Sequence, residues 1–257
     1  MLPAPISRRQ FGALAGAIVA PLAFGDACQL AVEQGIGRDG RIAARPKGGV
    51  TTTAEGTRPL GLDASRDAIL HVPAASGAAA TPLPLLVLLH GAGGGGQRML
   101  QRISGAVEAA GVAVLAPDSR GPTWDAIRGD FGRDVAFLNR ALERVFDTVA
   151  IDPARVAVGG FSDGATYALS LGLVNGDLFP RIVAFSPGFV VEGAAHGQPR
   201  VFVSHGTSDP ILPIDQCGRV IVAALKRHGY DVTFREFTGG HEVPPAIAAE
   251  AMAWIKS

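Results

Sequence analysis

The sequence predicts an α/β fold, a mostly parallel central sheet with helices on both faces. From about residue 67 onward, apolar runs alternate with amphipathic stretches. The runs are continuous rather than alternating, as in strands covered on both sides; Leu85–Leu89 is the clearest. The residues best suited to chemistry stand just after those runs, at the carboxyl ends of strands, where such sheets build their sites.

Each element has its own justification. Ala68–Val72 is a short apolar run closed by Pro73 and reads as an edge strand; 74–82 is a small-residue loop. After the strand Leu85–Leu89, the segment 97–110 has helical spacing through Met99, Leu100, Ile103, Val107 and Ala110. Val112–Ala116 is the next strand. A long amphipathic helix over 130–149 runs through Val135, Leu138, Leu142 and Val145, and Asp152-Pro153 breaks the pattern. Strands follow at 156–161, 182–185, 201–203 and 232–237, with helices at 165–173, 220–228 and 246–255.

The 257 residues suffice for one domain with a full core. Lys plus Arg and Asp plus Glu number 23 each, and no basic run is interleaved with aromatics, which argues against a nucleic-acid surface. Residues 1–27 read as an export signal. Ser7-Arg8-Arg9-Gln10-Phe11 has the twin-arginine pattern, an apolar stretch to Phe24 follows, and Gly25 and Ala27 suit cleavage. That stretch is too short and too rich in Ala and Gly to span a membrane. The expected location is the bacterial periplasm or beyond. Residues 28–62 read as an irregular N-terminal segment, and 63–257 as the domain that carries the chemistry. The two cysteines, Cys28 and Cys217, form no C-x-x-C. Phe24-Gly25-Asp26-Ala27 fits a lipobox poorly, which disfavours a lipid anchor at Cys28; an oxidising compartment permits a Cys28–Cys217 disulfide, and two free thiols are the remaining alternative.

Gly91, Gly93 and Gly96 spell G-x-G-x-x-G after a strand and before a helix, and Asp118 ends the next strand where a ribose-binding acid belongs. A nicotinamide-dependent oxidoreductase is therefore one reading. With 34 glycines, however, chance supplies roughly 0.6 such matches, and a second copy stands at Gly35, Gly37 and Gly40 with no strand before it. His90, between the strand and the first glycine, has no use in a phosphate cradle. The His-Gly loop looks instead like the oxyanion loop of α/β-hydrolases, and that resemblance implies glycines that turn backbone N–H groups toward a developing negative oxygen, with His90 itself structural.

Gly160-Phe161-Ser162-Asp163-Gly164 is G-x-S-x-G between a strand and a helix, where a serine at a sharp turn needs small neighbours. A serine nucleophile needs a base, and the base an orienting acid. Asp209 follows the strand at 201–203, and His241 follows the strand at 232–237, in the order serine, acid, histidine. Taken singly, Asp209 reads equally as a turn residue before Pro210 and His241 as a helix-capping surface residue; the lesser alternative for Ser162 is a tight turn with an N-capping serine. Four strand ends carrying the four required parts are hard to obtain by accident. Asp215 is the weaker acid candidate; His205 is expected to hydrogen-bond locally; His71, His196 and His228 lack a motif. No metal-ligand spacing occurs, and no cofactor is expected.

On HGAGGGG (90–96), GFSDGA (160–165), HGTSDPILP (205–213) and GGHEVPP (239–245), the chain resembles the α/β-hydrolases, and within them the phospholipase/carboxylesterase group that includes acyl-protein thioesterases. The resemblance runs from about Asp67 to Ile255. It implies an α/β-hydrolase fold, Ser162 as nucleophile, Asp209 as acid, His241 as base, and an oxyanion hole from the backbone N–H groups of Ala92 and Asp163. Family members often carry Gln after the serine; the carboxylate of Asp163 is expected to make the mouth of the site less welcoming to anions.

Residues 186–198 are too short and irregular for a helical lid, so an open site for soluble or short-acyl esters is expected. Trp124, Ile211, Leu212 and Val243 are the candidate pocket walls, with core packing the alternative for Trp124. The expected activity is a serine carboxylesterase working on a small-molecule ester through an acyl-enzyme. A polyester depolymerase, a feruloyl-type esterase, the oxidoreductase and a non-catalytic binding protein are the alternatives. The sequence leaves the oligomeric state open.

Overall fold

A computed structural model describes residues 38–52, 55–74 and 81–257. The expected export signal and Cys28 lie outside the described residues. Eight strands form one sheet: β1 (Gly56–Pro59), β2 (Ala68–Val72), β3 (Leu83–Leu89), β4 (Ala113–Pro117), β5 (Ile151–Phe161), β6 (Arg181–Phe185), β7 (Arg200–Gly206) and β8 (Val232–Phe237). Their spatial order is β1-β2-β4-β3-β5-β6-β7-β8; β2 runs antiparallel to both of its neighbours, β1 and β4, and every other pair is parallel. The helices are α1 (Gly96–Ala110), α2 (Asp125–Arg128), α3 (Arg133–Thr148), α4 (Asp163–Val174), α5 (Gly218–Arg227) and α6 (Pro245–Lys256).

The unbroken apolar run of β3 has a direct cause. Leu85, Val87 and Leu89 point into one core with Leu138 and Leu142 of α3 and Leu169 of α4. Leu86 and Leu88 point into the other, with Met99, Ile103 and Val107 of α1 and Met252 and Ile255 of α6. A strand buried on both faces has no position left for a polar residue. After β3 the chain crosses to β4 on one side, and after β5 it crosses to β6 on the other. The carboxyl ends of β3 and β5 therefore flank the point where strand order reverses, and a crevice opens there.

Three expectations change. Residues 28–62 are not wholly irregular: β1 pairs with β2, so Ala68–Val72 is not the edge. Ile42, Ala44 and Leu60 belong to the core. The backbone N–H of Ile42 donates to Asn175 Oδ1 at 2.8 Å, and those of Ala43 and Ala44 to Asn139 Oδ1 at 2.8 and 2.9 Å. This segment is held by side-chain amides far along the chain, which leaves no periodic apolar pattern to read. Asp152-Pro153 does not end an element, because β5 runs through it. The register against β3 shifts between Leu83 and Leu85, which face Ile151 and Val156, so Pro153 falls in the irregularity and takes no ladder bond. Residues 186–198 contain no helix, as expected of a fold with little or no lid. The N–H groups of Gly188 and Val191 instead donate to Thr166 Oγ1 and Ser170 Oγ of α4, at 2.9 and 2.8 Å.

Candidate active site

Ser162 stands between β5 and α4 with φ 58° and ψ −121°, a conformation that L-residues avoid. Its N–H donates to Phe185 O of β6 at 3.0 Å, and its own carbonyl accepts from Ala165 and Thr166. The glycines of the motif are there because the turn is pressed onto the end of β3. A Cβ on Gly164 would lie 2.3 Å from Leu89 O, and one on Gly160 would lie 2.5 Å from the Gly164 carbonyl group.

Asp209, after β7, has its side chain fully buried. Its Oδ1 accepts the N–H groups of Ile211 and Leu212, both at 2.9 Å, and its Oδ2 lies 2.7 Å from His241 Nδ1. Burial pushes the carboxyl up, but the Leu212 N–H, the His241 ring and the Ile211 N–H together hold it below the usual carboxylate range. His241, after β8, thus has Nδ1 committed to a carboxylate, which leaves Nε2 for proton transfer. Its ring lies 4.6 Å from that of Phe161, the residue before Ser162. Asp215, the weaker acid candidate, is exposed and ion-paired with Arg219 at 2.6 Å. His205 is buried and bonds locally to Leu212 O at 2.7 Å; burial lowers its pKa.

The glycine loop after β3 packs against this serine, and a Cβ on Gly91 would meet Ser162 Cβ at 3.2 Å. His90 braces the loop. The Ser119 N–H donates to its Nε2 at 3.0 Å, so the ring proton sits on Nδ1 and is given to Gly91 O at 2.7 Å. Burial lowers the pKa of His90 and keeps the ring neutral. Gly93 takes φ +64°, and its N–H donates to Pro122 O at 2.7 Å. Among the described residues, the N–H groups of Ala92 and Asp163 donate to no protein acceptor; Asp163 opens α4, where the first N–H has no partner within the helix. The Asp163 carboxylate accepts the Thr123 hydroxyl at 2.6 Å. The phosphate-cradle reading loses its acid: Asp118 Oδ1 accepts the Gly96 N–H at 2.7 Å and is committed to the start of α1.

The four expected pocket walls do not come together. Trp124 is core, 1% exposed, with Nε1 donating to His90 O at 2.8 Å and its ring stacked on Tyr167. Val243 is buried in the core on the opposite face of the sheet. Leu212 is half-buried and Ile211 is 65% exposed. The cleft beside the serine, about 250 Å³, is lined instead by residues 90–95, Arg98, Met99, Arg102 and Phe161. Sequence reasoning missed both arginines, although their i, i+4 spacing on the polar side of α1 was visible. Among the described residues, no cluster of His, Cys, Asp and Glu could hold a metal ion, and no helix is long and apolar enough to cross a membrane.

Comparison with known proteins agrees with this architecture. Residues 134–257 match the phospholipase/carboxylesterase family model. The putative esterase NocK of Nocardia uniformis subsp. tsuyamanensis is 31% identical over 188 residues, which cover 68% of this chain and 53% of that protein. A probable feruloyl esterase C of Aspergillus oryzae is 34% identical over 110 residues, 42% of this chain and 39% of that one. The chain thus spans about half, or less, of the length of the curated relatives it matches. The crystal structure of esterase PE8 superimposes with a TM-score of 0.59 at 24% identity, covering 73% of this chain and 96% of that one. The chain has the α/β-hydrolase fold, and its residues 134–257 are similar to the phospholipase/carboxylesterase family.

Proposed function

We propose that the protein is a serine carboxylesterase. Ser162 Oγ attacks the ester carbonyl while His241 Nε2 takes its proton. Asp209 holds the ring in the tautomer that makes this transfer possible and stabilises the imidazolium that forms. The negative oxygen of the tetrahedral intermediate is met by the N–H groups of Ala92 and Asp163. His241 then protonates the departing alcohol, and water enters by the same steps to release the acid from Ser162.

The observation that carries this reading is the 2.7 Å contact between His241 Nδ1 and a buried Asp209, with the His241 ring 4.6 Å from that of Phe161, the residue before a serine on a strained turn. An open site with no helix over 186–198 favours soluble or short-acyl esters. Likeness to a probable feruloyl esterase favours aryl-acrylic esters as a second reading, which methyl ferulate tested against p-nitrophenyl butyrate separates. The twin-arginine pattern at Arg8-Arg9 supports an exported enzyme. A fluorophosphonate probe should label Ser162 in the native protein and leave Ser162→Ala untouched; absence of an adduct at Ser162 would sink the esterase reading.

A further inference from the structure

We propose that the cleft beside Ser162 is an anion subsite, and that the preferred substrates are esters bearing a free carboxylate, which Arg98 and Arg102 receive. The proposal rests on the esterase reading and names the substrate class for it.

The cleft lining contains two guanidinium groups and no carboxylate. It is continuous with the chemistry, because it shares Gly91 and Ala92 with the loop that packs on Ser162, and Phe161 with the turn. Arg102 Cζ lies 4.9 Å from the centre of the Phe161 ring, which in turn stands 4.6 Å from the His241 ring. Phe161 is thus in contact with both the Arg102 guanidinium and the His241 imidazole. Arg98 donates to Gly93 O at 3.0 Å, which steers its head over the glycine loop. Among the described residues, neither guanidinium pairs with a carboxylate, whereas Arg41, Arg45, Arg120, Arg200, Arg219 and Arg235 all do.

This arrangement breaks two rules of helix stability at one place. Arg98 and Arg102 are like charges at i, i+4, which repel. Arg98 also sits in the first turn of α1, the end of a helix that disfavours cations, and that turn has no acidic residue to offset it. Local rules broken together beside a reactive serine are what a binding function leaves behind. A carboxylate on the substrate relieves both, and the planar fork of arginine matches it. His90 adds no charge, because its ring is neutral and satisfied on both nitrogens. The Asp163 carboxylate does not line the cleft; it is turned to Thr123 on the loop after β4.

The test compares esters matched in size and differing in charge. Mono-p-nitrophenyl glutarate against p-nitrophenyl valerate places the carboxylate on the acid half; the butyryl ester of p-hydroxybenzoate against phenyl butyrate places it on the alcohol half. The readout is the ratio of kcat/KM, anionic over neutral, within each protein, so that any general effect on the loop divides out. The native enzyme should favour the anionic member of at least one pair by about tenfold, the scale of one charge-assisted contact. Arg102→Lys should retain most of the preference, Arg98→Gln with Arg102→Gln should abolish it, and Arg102→Glu should reverse it. Added salt should shrink it. A native enzyme indifferent to charge in both pairs, or a preference that survives the double substitution, overturns the subsite while fluorophosphonate labelling of Ser162 leaves the esterase standing. Loss of labelling together with no hydrolysis of any of the four esters removes the esterase and the subsite with it.

Discussion

Asp209 reaches His241 with one carboxyl oxygen, Oδ2 at 2.7 Å from Nδ1, while its other oxygen is held by the N–H groups of Ile211 and Leu212. The Asp209 carboxylate is therefore anchored independently of the ring that it holds. Asp209→Asn should lower kcat on a p-nitrophenyl ester by about 10⁴-fold, because an amide presents the wrong partner to Nδ1 and the ring flips its tautomer. Asp215→Asn, which loses only an exposed pair with Arg219, should stay within about twofold. The opposite ranking would move the acid to Asp215.

The glycines around Ser162 should separate into two kinds. A Cβ on Gly164 would press on Leu89 O, backbone against backbone, and neither side can yield. Gly164→Ala should lower the melting temperature by several degrees, in line with about 1–3 kcal/mol for overpacking. A Cβ on Gly91 would meet Ser162 Cβ at 3.2 Å in otherwise tolerable space. Gly91→Ala should fold normally yet slow acylation, by up to about 10²–10³-fold if one oxyanion donor is displaced. Stopped-flow acylation and a thermal melt on both variants decide the matter.

The buried carboxyls behind the site make a pH prediction. Asp134 and Asp125 each accept the other's backbone N–H, at 2.7 and 2.8 Å. Burial, and then the neighbouring charge of Asp125, raise Asp134 to about 6. The folded state then holds a proton that the unfolded chain, titrating near 4, has released. Stability conferred by this group therefore falls as pH rises from about 4 to about 6 and stays reduced above that, by an amount on the order of 2 kcal/mol. Asp134→Asn removes the titration. The difference in melting temperature between pH 4.5 and pH 7 should be more favourable to acid in the native protein than in the variant; equal differences would place the Asp134 pKa near its ordinary value.

Export is tested without reference to activity. Arg8→Lys with Arg9→Lys should leave the uncleaved precursor in the cytoplasm of a bacterial host. Normal periplasmic recovery of that double variant would remove the twin-arginine reading.

The parts of the fold that were legible in the sequence owe it to burial geometry. β3 to β8 are either buried on both faces or end at punctuating residues, so both their existence and their carboxyl ends could be read. That alone put Ser162, Asp209 and His241 at the carboxyl ends of strands β5, β7 and β8, on one edge of the sheet. What escaped was held by contacts distant in sequence. Ile42 and Ala44 enter the core because Asn175 and Asn139 bind their backbone, and nothing local announces it. Trp124 looked like a pocket wall because composition does not tell an aromatic under a loop from one beside it; its bond to His90 O places it under. Nothing local singles out Arg98 and Arg102, since only the fold shows which side of α1 the serine is on.

The backbone of Ser162 has a cost that outlasts any single turnover. With φ at 58° and ψ at −121°, it holds a conformation typically penalised by about 1–3 kcal/mol in residues other than glycine. That energy is drawn from packing elsewhere, including that of α4, whose residues from Gly164 to Val174 are all buried. On the esterase reading, selection for thermal robustness alone would act against Ser162 first: a glycine at position 162 would relax the turn and yield a sturdier protein that lacks the proposed nucleophile. Activity and durability are thus opposed at one residue, and any programme that evolves this scaffold for heat resistance must hold position 162 fixed and look for its gains in the sheet and helices instead.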